Sequence, residues 1–279
     1  MRVAEPIFAS WRAELALGFE RAGPRTVLAR RRHDGPLVVQ KPLYPEGGAV
    51  CHAIVVHPPG GIAGGDALEI AIEAGAGSHA LLTTPGAGKW YRSAGPEAGQ
   101  SVRLDVAAGA MLEWLPQETI LFSGARARLA TEVRLQGDAG YLGWEIVCLG
   151  RTGSGERFAT GESRFSSAIL RDGRPLWLER GCITGDGVRM ASAAVLAAQP
   201  VFGTLAAAFP AVGHAELEAC RAVSPEEGRG AATLLPGVLL ARYLGASTES
   251  ARRWFSALWR ILRPACAGRK AVEPRIWRT

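Results

Sequence analysis

Eight side chains stand out by type and position as candidates to bind or move ions. Cys51, His52 and His57 lead into HPPGGIAGGD, which ends at Asp66; Lys89 follows in GAGKW; Glu113, Glu145 and Glu179 stand in or beside later apolar strands. A thiol with two imidazoles is a donor set for a nickel-like or zinc-like ion. On a strand, however, Cys51 and His52 point to opposite faces, which argues against a closed three-ligand site. Isolated carboxylates are ordinarily solvated edges. Facing inward, they would have to be hydrated or paired, and would line a polar path through an apolar body.

Other chemistries lack their residues. GAGKW has Thr83 where a phosphate-binding loop needs glycine and Trp90 where it needs Ser or Thr. GAGSHA from Gly75 is followed by a second strand, HALLTTP, instead of a helix N-terminus that could hold a pyrophosphate. His214-Ala215-Glu216 is not followed by Pro-Cys-x-x-Cys, and neither G-x-S-x-G nor His-Glu-x-x-His occurs. No hydrolytic nucleophile is visible.

The elements that position these residues repeat. LEIAIEAGAGSHALLTTPG, VRLDVAAGAMLEWLPQE, TEVRLQGDAGYLGWEIVCLG and SSAILRDGRPLWLERG each join an alternating apolar strand, a small-residue turn near Gly75, Gly109, Gly137 or Gly173, and a second strand. Units too small to bury their own apolar faces must stack on neighbours. The expectation is a mainly β fold, a β-helix-like stack of strand pairs over about residues 11–190, with loops gathered on one side. Residues 191–279 form a mixed segment of the same single domain, 1–279. There HAELEACRAV predicts a short helix and LLPGVLLARYL an apolar strand. STESARRWFSALWRILRP predicts an amphipathic helix over 248–263 that ends at Pro264. Ala251, Trp254, Phe255, Leu258 and Leu262 lie on one face, with Arg252, Arg253, Arg260 and Arg263 largely opposite. That stripe packs on the body or fits a partner groove, so Trp254, Phe255, Arg252 and Arg253 are candidate partner contacts.

The 279 residues carry a net charge of +6, unevenly placed: residues 242–279 hold nine Arg or Lys against two Glu, while residues 51–241 hold fifteen against nineteen acids. An acidic middle argues against nucleic acid, and a basic tail suits an acidic protein surface. Five scattered cysteines without a C-x-x-C pair predict single reduced thiols. No export signal or membrane span is read, so a cytoplasmic location is expected.

HPPGGIAGGD, TTPGAGKWYRS, LEWLPQETILF, WEIVCLGR with GERF after it, and PRIWRT together resemble the urease accessory protein family UreD, called UreH in some organisms. The resemblance runs from Trp11 to Thr279 with the motifs in the family's order. It implies a β-helix-like chaperone for nickel insertion, not an enzyme, that binds apo-urease and UreF, and through UreF the GTPase UreG. No cofactor is held tightly, and nickel is present only in transit. The resemblance also implies a water-filled nickel passage. Asp66, Glu145 and Glu179 are its candidate metal contacts, with His57, Lys89 and Glu113 as passage or loop residues. The chain departs from the family pattern at Trp90, where phenylalanine is usual, at Ala63, and at Glu145, where aspartate is frequent. The alternative is a pure adaptor that opens apo-urease without touching nickel. HPPGGIAGGD itself reads as a turn whose four glycines permit positive φ and which sets Asp66 at the interior end.

Overall fold

A computed structural model describes residues 10–278. Most of them form a β-solenoid of about four turns with a C-terminal helix. In chain order the strands are β1 (Arg12–Ala22), β2 (Arg25–Asp34), β3 (Val38–Val39), β4 (Cys51–Val56), β5 (Ala67–Ala74), β6 (His79–Thr83), β7 (Gly88–Trp90), β8 (Ala98–Val106), β9 (Met111–Trp114), β10 (Thr119–Leu121), β11 (Arg126–Leu135), β12 (Gly140–Leu149), β13 (Glu162–Arg171), β14 (Arg174–Thr184), β15 (Val201–Ala208), β16 (Arg229–Leu235) and β17 (Val238–Gly245). The helices are α1 (Gly187–Ala191), α2 (His214–Arg221) and α3 (Thr248–Ala267).

Three of the sequence repeats cross a turn from one sheet to the other, β5 to β6, β8 to β9 and β11 to β12. Their first strands stack in parallel in a sheet ordered β14-β13-β11-β8-β5-β1-β2. Their second strands stack in a sheet ordered β16-β17-β15-β12-β9-β6-β4-β3. The short strands β7 and β10 pair with each other and branch from the second sheet where β10 pairs with β12. The fourth repeat differs from the other three: β13 and β14 form an antiparallel hairpin within the first sheet. Its two turn residues, Asp172 and Gly173, have φ of 49° and 76°, which suits a tight hairpin. LLPGVLLARYL is likewise two strands, not one, because Pro236-Gly237 forms a turn with Gly237 at φ 79°.

Two apolar layers result. Alternate residues of the first sheet, such as Val102, Leu104 and Val106, meet Leu112, Tyr141 and Val147 inside the solenoid. The opposite face of the second sheet, with Leu142, Trp144 and Ile146, packs on Trp254, Phe255, Leu258 and Leu262 of α3. β12 is therefore covered on both faces, which is why GYLGWEIVCL reads as a near-continuous apolar run. At the free edge, β2 exposes Arg30, Arg31 and Arg32 on successive positions, a charge pattern that discourages edge-to-edge pairing.

α3 continues beyond Pro264 to Ala267. The proline removes one donor in the last turn but has a helical φ, and Gly268 closes the helix in a left-handed cap that donates to Pro264 O. Arg263 is not on the solvent face; it is wholly buried. Its guanidinium reaches Glu113 at 3.0 Å and both oxygens of Glu46 at 2.7 Å. Glu113 also accepts from Trp259 Nε1 at 2.5 Å and lies 2.7 Å from His79 Nε2, and Glu46 lies 2.6 Å from His52 Nε2. This network ties α3 to β4, β6 and β9.

Burial alone would raise the Glu46 carboxyl, but hydrogen bonds from His52 and Arg263 outweigh it and hold the group at about 2 against a usual 4.5. A depressed carboxyl stabilises the fold above the unfolded value and loses that contribution as pH falls from about 4.5 to about 2. The melting-temperature gap between the parent protein and Glu46→Gln is therefore expected to be largest near neutral pH and to close across that window. A gap independent of pH would contradict the assignment.

Candidate functional site

The register of the two sheets brings two rows of polar residues face to face in the apolar interior. Across the first sheet Thr131 stands beside Ser167 and Ser167 beside Glu179. Across the second, Glu145 stands beside Thr204 and Thr204 beside Arg242. The rows close on each other at both ends. The Thr131 hydroxyl donates to Glu145, and Arg242 Nη1 lies 2.6 Å from Glu179 Oε1. All six residues line one cavity of about 400 Å³. Beside Glu145, an added Cβ on Gly143 would lie 2.1 Å from the Tyr141 hydroxyl, so glycine there leaves room for the phenol that also lines the cavity.

Glu145 also lines a second cavity of about 220 Å³, whose walls include His57, Lys89, Gln100 and Gln117. It is the one charged side chain common to both cavities, and so the polar point at which they meet. Burial pushes its carboxyl up; the Thr131 hydroxyl opposes this and the Glu179 charge adds to it. Burial likewise pushes His57 down, against the pull of Asp66.

The sequence-derived residues separate into groups. Glu145 and Glu179 share the first cavity, and His57 and Lys89 the second. Asp66 lines neither: its two carboxylate oxygens accept from Trp11 N at 2.9 Å and Ala63 N at 2.8 Å, which clamps the turn. Glu113 faces α3, away from the solenoid interior, because it is one residue out of phase with the inward-facing Leu112. Trp254 and Phe255 are buried in the layer under α3, and Arg252 donates to Gln117 at 2.7 Å. Arg253 alone of these four is exposed, held between Glu226 and Glu249. Cys51 and His52 do face opposite ways, the thiol into the solenoid interior and the imidazole to Glu46. Among the described residues no group of three or more His, Cys, Asp or Glu is placed to hold a metal ion. All five cysteines are free.

Within HPPGGIAGGD only Gly65 has positive φ, at 95°, among its four glycines. Close approach explains Gly64 instead: a Cβ there would lie 2.2 Å from Ser93 Oγ and 2.9 Å from Pro96 O. Thr131, Ser167, Thr204 and Arg242 were missed from sequence. The available signal was a polar residue at an inward position of an alternating strand, as Thr131 is between Leu129 and Val133.

A profile of the UreD urease accessory protein family matches residues 12–278. The chain belongs to the UreD family. This UreD-family chain is 57% identical over 279 residues to the urease accessory protein UreD of Azoarcus sp. strain BH72, covering all of this chain and 97% of that one. It is 59% identical to the protein of the same name from Dechloromonas aromatica strain RCB, over 97% of this chain and 95% of the other. Against that of Nitrosococcus oceani the identity is 50%, over 97% and 91%. No helix of the UreD-family chain, among the described residues, is long and apolar enough to cross a membrane.

Proposed function

We propose that this chain serves urease maturation as a non-catalytic scaffold, binding apo-urease and UreF, with UreG joining through UreF, and that nickel passes through its polar lane during GTP-dependent insertion. The observation that carries the conduit is the pair of facing polar rows, Thr131–Ser167–Glu179 and Glu145–Thr204–Arg242, across an interior that is otherwise apolar.

The donors suit passage. They are carboxylates and hydroxyls spread along a cavity, which can replace part of a cation's water shell without enclosing it. A closed tetrahedral cage of thiolates and imidazoles would retain the ion. Glu145 must give up a proton to take a cation, and its raised carboxyl makes cation uptake weaker as pH falls.

Glu145→Ala removes the carboxylate where the cavities meet. At about 4 Å and an effective dielectric near 20, a unit charge pair is worth on the order of 4 kcal/mol. Nickel occupancy in transit is therefore expected to fall about a hundredfold or more. The readout is the nickel content and activity of urease matured in the complete accessory complex, with complex assembly checked in parallel. Urease loaded to the normal level by an intact complex would remove the conduit and leave the adaptor role.

A further inference from the structure

The outer end of the lane is closed by an arginine. Arg242 on β17 crosses the gap between the sheets to Glu179 on β14 at 2.6 Å. Among the described residues neither group forms another ion pair. Their side chains are 52% and 34% exposed, so the pair sits at the cavity mouth in contact with water. An isolated pair in that setting adds little to stability. Its position points elsewhere, because Arg242 is the third member of the row that begins with Glu145.

We propose that Arg242 is a tethered counter-ion that gates the lane: it neutralises Glu179 while the lane is empty, and a divalent cation enters by displacing it. This rests on the conduit reading and adds its regulation. A guanidinium stays charged at every relevant pH and pairs with a carboxylate through a rigid fork. Being covalently attached, it competes at the high effective concentration of an intramolecular partner. A hydrated monovalent cation of the same charge gains nothing by replacing it. A divalent cation gains the doubled attraction of Glu179, and the long half-exposed arginine stem can swing into water. The gate therefore excludes abundant monovalent ions and admits divalent ones.

The test is equilibrium dialysis of the full-length protein against Ni2+ at neutral pH in 0.15 M KCl, about the physiological ionic strength. Arg242→Gln is expected to tighten Ni2+ binding about tenfold, near 1.4 kcal/mol. Adding Glu179→Gln should abolish that gain, and should cost more affinity in the Arg242→Gln background than in the parent. Extra KCl should weaken binding to Arg242→Gln more than to the parent. Should Arg242→Gln fail to fold, as judged by circular dichroism, Arg242→Lys keeps the charge without the fork and should show a smaller gain of the same kind. Binding unchanged or weakened in a folded variant, or no coupling to Glu179, would overturn the gate. The conduit fails separately: Glu145→Ala with normally loaded urease removes delivery even where the Arg242 pattern holds.

Discussion

Replacing Arg263 by methionine is expected to lower the melting temperature by about 10 °C. Methionine keeps the apolar stem, so the change isolates the guanidinium. Without it Glu113, wholly buried, and Glu46 retain, among the described residues, only His79, Trp259 and His52 as side-chain partners. Breaking a buried charge network by removing one partner costs about 3–5 kcal/mol, and for a chain of this size each kcal/mol moves the midpoint by about 2–4 °C. Arg260, three residues earlier and half exposed in its pair with Glu273, is the control; its methionine variant should stay within about 0.5 kcal/mol of the parent. Adding Glu113→Gln to Arg263→Met removes the uncompensated charge and should recover part of the loss, as a double-mutant cycle would show. A fall no larger than that of the Arg260 variant would mean that the network does not hold α3 on the sheet.

The second large effect has opposite signs in two measurements. Filling the lane with Ser167→Leu and Thr204→Leu puts apolar bulk between Glu145 at one end and the Glu179–Arg242 pair at the other. Both hydroxyls front a cavity, so added methyls bury apolar surface at about 25 cal/mol per Å² and the melting temperature should hold or rise. A cation crossing the filled lane must shed water without oxygen donors to replace it, a cost of several kcal/mol that should stop measurable nickel delivery to urease. Stability kept with delivery lost is the signature of a conduit. Stability and delivery both kept would assign this chain to the adaptor role.

The proposed conduit and scaffold roles fall on different residues. Trp254 and Phe255 hold α3 on the second sheet and are not presented to a partner, so docking under the proposed scaffold role would use other surfaces, such as the exposed Arg253 or the free sheet edges. The lane, in contrast, is confined to inward positions. Partner binding and ion passage can therefore be altered independently by mutation.

The sequence by itself determined the strand pairs, their stacking and the amphipathic helix. Period-two and helical spacing are local properties, and a unit that cannot bury its own face has to stack. It also singled out Glu145 and Glu179 as carboxylates in strands. Only the tertiary structure decided which carboxylates face inward. Glu113 and Glu145 look alike in LEWLP and WEIVC, but strand alternation turns one toward α3 and the other into the solenoid. The second sheet is buried on both faces, so apolar neighbours surround both residues and conceal the phase. Arg263 reads as a helix-surface charge until Glu46, more than two hundred residues away in sequence, is seen beside it. The lane depends on register across six strands, β11, β13 and β14 against β12, β15 and β17, and register between distant strands is set by packing and not by any one stretch of sequence.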